Sequence, residues 1–238
     1  KVLNAETISG TQVQITLDKE INGLSTSTLI YTDALDFNGS VIKNCTFREY
    51  RGSGIMARGN NITIENNTFK DISGIGIDMQ NYSTSEGPWA TNVTVKNNTF
   101  DGIAYLAAYS YLGDVRLAPI NIRSTTASWG YGKDKMNSNI TIEKNIFKNI
   151  CSAYIIHLSE ATDCKIINNE ITTSDISAPP IYYNSSALPD TYPIYINNSS
   201  NITVTGNKIT DLRSWTKEGI KIISSDNVTE KKNEVKLK

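Results

Sequence analysis

The sequence predicts an all-β chain: a right-handed parallel β-helix of about seven coils, preceded by a small antiparallel β segment. Three observations carry this. A template of apolar, any, apolar, polar, polar, Asn, any, large apolar recurs in seven places. Within each copy the apolar residues alternate with period 2 and are rich in β-branched side chains, which indicates strands and not helices. Each copy is followed by a second short apolar run, so every repeat holds at least two strands.

Residues 1–37 do not follow the template. They read as two or three antiparallel strands, clearest at Gln12–Leu17 and 28–32, joined by a turn at Asn22 and Gly23. This segment is expected to be a small β-subdomain between coils or an N-terminal cap, with the β-helix domain spanning 38–238.

The template copies cover 40–47, 62–69, 93–100, 140–147, 164–171, 202–209 and 228–235. Their Asn falls at Asn67, Asn98, Asn145, Asn169, Asn207 and Asn233, with Cys45 in its place in the first copy. The successive spacings of 22, 31, 47, 24, 38 and 26 fit a coil of 22 to 26 residues with loop insertions. A short amide tolerates left-handed backbone at a turn and can bond its equivalent one coil away, at the strand spacing of about 4.8 Å. The Asn is therefore expected to form a structural ladder. The N-x-T triplets at Asn66, Asn92, Asn139 and Asn201 follow from the same repeat and are not read as glycosylation signals.

The second strands are expected at 55–57, 75–79, 120–123, Tyr154–Ser159, 194–197 and 220–224. Insertions fall near 81–91, near 105–117 together with 125–137, and near 173–192, and bring Trp89, Trp129, Tyr131 and Tyr182.

Composition excludes several partners. The 23 basic and 24 acidic residues nearly cancel and no basic run stands out, which argues against nucleic acid. No apolar run approaches the roughly 20 residues that a spanning helix needs. The chain opens on Lys1 instead of Met, so a processed or trimmed N-terminus is expected. Cys45, Cys151 and Cys164 lack CxxC spacing and have only His157 to join them, so they are read as buried small hydrophobes. No metal and no cofactor are implied.

The order FREYRGSGIMARGNNITIENNTF, GIGIDM, SEGPWATNVTVKNNTF, APINIR, NSNITIEKNIF and IIHLSEATDCKIINNEI resembles the C-terminal half of glycoside hydrolase family 110. The preceding TQVQITLDKEINGL is similar to that family's barrel segment, so the likeness runs over roughly residues 10–172. The resemblance implies a β-helix with an inserted small β-barrel and exo-acting α-galactosidase chemistry. It also implies catalytic carboxylates on an adjacent Asp pair upstream of the barrel. This sequence contains no adjacent Asp pair, so it is expected to be the substrate-side part of such a protein, or a relative without the acid/base machinery.

Glycoside hydrolysis needs two carboxyl groups flanking the scissile bond. Alternation along the second strands turns Asp78 outward, with Asn121, Arg123, His157, Tyr195, Asn197 and Lys221 on later coils and Arg58 at the start of the row. Asp78 and Glu86 are the candidate catalytic carboxylates, with Asp101 and Asp114 as further partners. Arg58, Trp89, Asn121, Arg123, His157 and Tyr195 are the candidate sugar-binding residues, the polar ones for hydroxyls and Trp89 for stacking on a pyranose. The competing reading of the row is a solvated sheet face with a surface histidine. The expected partner is an oligosaccharide or polysaccharide, which implies a secreted, periplasmic or cell-surface location. The alternatives are a non-catalytic glycan-binding or surface-display module and a polysaccharide lyase. The clustered acidic calcium ligands of such lyases are not evident, nor are the paired Asp and Gly-His-Gly of the polygalacturonase type.

Overall fold

The computed structural model describes residues 2–10, 12–22, 37–81, 88–105, 118–124, 136–173, 175, 191–214 and 216–238. It contains two compact units, Lys1–Tyr31 and Thr32–Lys238. In the first, Val2–Ser9 pairs antiparallel with Gln12–Leu17. Gln12–Leu17 thus has a partner before it in the chain; the strand expected at 28–32 lies outside the described residues.

The second unit is a parallel β-helix of three sheets, each gaining a strand per coil. The first sheet holds the opening half of every template copy, as in Thr63–Glu65, Ala90–Lys96 and Asn137–Glu143. The second holds the closing half, as in Thr68–Ile72, Thr99–Ile103 and Ile146–Ile150. The third is Ile55–Met56, Ile77–Asn81, Ile120–Ser124, Tyr154–Ser159, Tyr192–Asn197 and Ile220–Ile223. No helix among the described residues is long and apolar enough to cross a membrane.

Alternation fills the interior with ladders of like residues. Ile64, Val95, Ile142, Ile166 and Val204 are fully buried along the first sheet. Phe47, Phe69, Phe100 and Phe147 stack in register along the second, with centroids 5.0, 4.7 and 4.8 Å apart. That separation equals the strand spacing, so the rings lie in offset contact without bending the coils.

The corner between the first two sheets divides its work between two adjacent residues. The left-handed backbone falls on Asn44, Asn66, Asn97, Lys144, Asn168, Gly206 and Lys232, with φ between 52° and 70°. The template Asn follows it, with its side chain turned inward. This corrects the expectation that one Asn supplies both turn and ladder. Asn98 shows the pattern: its Nδ2 donates to Ile64 O at 2.9 Å and Asn145 Oδ1 at 3.0 Å, and Asn145 Oδ1 also accepts from Asn98 N at 3.0 Å. Asn67, Asn145, Asn169 and Asn207 repeat it. Cys45 stands at the first ladder position and, against expectation, is exposed, whereas Cys151 and Cys164 are buried.

Two further ladders were not read from the sequence. On the outer surface Asn61, Asn92, Asn139, Asn201 and Asn227 take positive φ and join amide to amide or to Asp163 and Asn38. Between the third and first sheets, Asn137 Oδ1 accepts from Ala90 N, Ser199 Oγ from Ala161 N and Ser225 Oγ from Ser199 N.

One corner after the second sheet encloses an ion pair. Asp211 and Arg213 are both fully buried, with Arg213 Nη2 donating to Asp211 Oδ2 at 2.6 Å. Thr173, Thr216 and the Arg213 amide also donate to the carboxylate, and Arg213 Nη1 donates to Ser152 O. Burial pushes the Asp211 carboxyl upward, but the guanidinium and these hydrogen bonds outweigh it and hold the group below the ordinary carboxylate value.

Candidate functional site

Most of the candidate residues gather on the third sheet. Its inward residues Ile77, Met79, Ile120, Ile122, Ile156 and Leu158 are fully buried in the core, so their neighbours face outward. Parallel register aligns those neighbours across coils. Asp78 is opposite Asn121, Asn121 opposite His157, His157 opposite Tyr195, and Tyr195 opposite Lys221. A second row runs beside it, with Gln80 opposite Arg123 and Ser159 opposite Asn197.

This surface is not solvated. Asp78, Gln80, Asn121 and Arg123 are 3 to 5% exposed, and His157 and Ser159 are 0% exposed. The surface-histidine expectation for His157 is therefore overturned. Arg58, Tyr195, Asn197 and Lys221, in or beside these rows, are half-buried. Polar groups out of water require internal partners, because an unsatisfied one costs about 1–3 kcal/mol.

Hydrogen bonds link the floor into one network. Asn121 Nδ2 donates to Asp78 Oδ1 at 3.1 Å and to Gln80 Oε1 at 3.2 Å. Asn121 Oδ1 lies 2.8 Å from His157 Nδ1, and His157 Nε2 lies 3.0 Å from Ser159 Oγ. Gln80 N donates to Asp78 Oδ1 at 3.0 Å, and Arg58 Nε donates to Gln80 O at 2.8 Å. Aromatic rings close one end: Tyr154 stacks on Tyr195 at 4.4 Å, and the His157 ring sits 5.4 and 5.5 Å from the two. Lys221 Nζ lies 5.5 Å from the centre of the Tyr192 ring.

Six of the eight residues singled out by sequence lie in or beside these rows: Arg58, Asp78, Asn121, Arg123, His157 and Tyr195. Trp89 stands at the corner leading into the first sheet, where its carbonyl accepts from Gly59 N at 3.3 Å. Glu86 and Asp114 lie outside the described residues. Asp101 is on the second sheet, paired with Lys148 at 3.4 Å and Asn149 at 2.7 Å, and is not brought to Asp78. The sequence reading missed Gln80 and Ser159, which the same alternation places outward, and Tyr154 and Tyr192, which start their strands.

A concavity of about 280 Å³ lies on the second sheet between Glu170, Lys208 and Glu234 on one side and Thr172, Thr210 and Lys236 on the other. It is a shallow trough between surface side chains of three coils. The third sheet, by contrast, offers a buried polar floor.

A family model described as "Right handed beta helix region" matches residues 30–188 and, in a second overlapping placement, 87–237. No curated protein and no solved structure matches the chain significantly.

Proposed function

The chain belongs to the right-handed β-helix family, and from that premise we propose that its third-sheet surface binds the terminal galactoside of an oligosaccharide, as the substrate-side part of a carbohydrate-active protein related to exo-acting glycosidases. A right-handed β-helix is consistent with carbohydrate-active and pectin-lyase-like proteins. One observation supports the narrower reading: the outward rows combine a buried floor of Asp78, Gln80, Asn121 and Arg123 with half-buried Arg58 and Tyr195, and Trp89 is half-buried at the corner leading into the first sheet. Pyranose hydroxyls suit the floor and the apolar ring face suits the aromatics. A floor this enclosed favours a chain end over the middle of a polymer.

In the catalytic form of this proposal Asp78 and Glu86 are the carboxyl pair. The non-catalytic form, a glycan-binding module, has an observation in its favour: Asp78 is the carboxylate of its row, and its Oδ1 already accepts from Gln80 N and Asn121 Nδ2. Titration calorimetry with α-galactosyl-terminated oligosaccharides tests both forms. Trp89→Ala with Arg123→Ala is expected to weaken binding at least about tenfold, the loss of roughly 1.4 kcal/mol. Unchanged affinity in a natively melting double variant removes the proposal.

A further inference from the structure

The same network has a direction, and it points away from sugar binding alone. Both amide hydrogens of Asn121 are directed at acceptors, Asp78 Oδ1 and Gln80 Oε1. Rotating the amide by half a turn would set its oxygen against the Asp78 carboxylate, so Oδ1 is the atom that faces His157. An amide oxygen can only accept, so His157 Nδ1 carries the hydrogen of that 2.8 Å contact. In the neutral ring Nε2 then holds a lone pair and accepts the Ser159 hydroxyl at 3.0 Å. Every donor in the series Ser159, His157, Asn121 points toward the carboxylate of Asp78.

We propose that Ser159, His157 and Asn121 are the nucleophile, base and orienting group of an acyl-transfer site that hydrolyses esters of small acyl groups. The set arises because His157 and Ser159 are alternate residues on one strand, and Asn121 is the register partner of His157 on the next. Arg123 follows the Ile122–Leu158 register pair and so stands on the strand beside Ser159, where its charge can stabilise a developing oxyanion. In the first step Ser159 Oγ bonds to the ester carbonyl carbon while its proton passes to His157 Nε2. The acyl C–O bond then breaks and the alcohol leaves with that proton. Water attacks the acyl-serine, again giving its proton to His157, and the carboxylic acid departs as Ser159 recovers its hydrogen. Ser159 has no exposed surface, so an ester reaches it only as the side chains over the floor part, which confines the proposed substrates to esters of the smallest acyl groups, such as acetyl. This site does not depend on the galactoside reading.

The test uses the full chain with p-nitrophenyl acetate and, separately, the acetyl-sized reagent methanesulfonyl fluoride followed by peptide mass mapping. Expected results are a single sulfonyl adduct on Ser159, and acetate release that falls at least about 100-fold in Ser159→Ala and in His157→Gln. Ser159→Ala removes one oxygen and is checked by its melting temperature. Should it unfold, Ser159→Cys serves instead, and its thiol is expected to take up iodoacetamide faster than in the Ser159→Cys/His157→Gln double variant. Absence of an adduct on Ser159 in natively melting protein, or acetate release unchanged in Ser159→Ala, overturns the proposal and leaves a purely structural hydrogen-bond network. Neither reagent contains a sugar, so a negative result does not bear on galactoside binding.

Discussion

Truncating Asn145 to alanine perturbs the stacking of the coils at a point where the cost can be worked out. The Asn145 side chain is fully buried and takes part in four hydrogen bonds: Oδ1 accepts from Asn98 N and Asn98 Nδ2, and Nδ2 donates to Val95 O and Asn169 Oδ1. Alanine removes all four and strands the Asn98 amide in the core. At about 1 kcal/mol net per bond the four bonds amount to about 4 kcal/mol, so a cost of about 3–5 kcal/mol is expected. For a domain of this size each kcal/mol lowers Tm by about 2–4 °C, so a fall of roughly 6–20 °C is expected. Asn233→Ala provides the control. Its three bonds, to Asn207 N, Asn207 Nδ2 and Val204 O, are only part-buried, so water can replace them and the cost is expected near 1 kcal/mol. Urea unfolding followed by circular dichroism measures both. Equal costs for the two variants, or less than about 1 kcal/mol for Asn145→Ala, would refute the claim that buried amides hold the coils together.

Further outcomes follow from particular residues. Because the Asp211 carboxyl is held below its ordinary value in the folded chain, its contribution to stability is complete above the ordinary carboxylate pKa of about 4 and is lost as pH falls through the folded value. Tm measured against pH should therefore drop below about pH 4, and Asp211→Asn should lose that part of the slope. Arg213→Ala leaves a buried carboxylate without its cation and should cost about 3–5 kcal/mol at neutral pH, read by the same melts. Burial pushes the Cys164 thiol up to about 12, with Asp163 adding to the rise against a hydrogen bond from the Ile140 backbone, so it stays protonated and unreactive. Iodoacetamide at mildly alkaline pH should label exposed Cys45 in the native chain, and Cys151 and Cys164 only in denaturant, as seen by intact mass. The chain is expected to release no appreciable galactose from α-linked substrates, and galactose release that disappears in Asp78→Asn would contradict this.

The ladders show what a sequence can and cannot say about such a fold. Asn67, Asn98 and Asn145, or Phe69, Phe100 and Phe147, are legible because one residue type recurs at one template position and stacking like on like is itself the stabilising contact. The Asn137, Ser199 and Ser225 corner is not, because a hydroxyl and an amide do the same work there and the recurrence is lost. The outer Asn92, Asn139 and Asn201 positions were present as letters but resembled glycosylation triplets. Alternation put Asp78, Asn121, Arg123 and His157 on the outside of the coil correctly. It could not tell that this outside is buried, since period 2 distinguishes the two faces of a strand and is silent on what lies above the outer one. The Asp211–Arg213 pair is hidden for a similar reason: an Asp-x-Arg triplet reads as a solvated pair until the corner folds over it.

Amide chemical-shift mapping with methyl α-galactoside tests the placement of the site most directly. Shifts are expected to gather on Asp78–Gln80, Asn121–Arg123, His157–Ser159 and Tyr195–Asn197, together with the indole of Trp89. Shifts confined to the second-sheet trough around Glu170, Lys208 and Glu234, or none at saturating sugar, would contradict it.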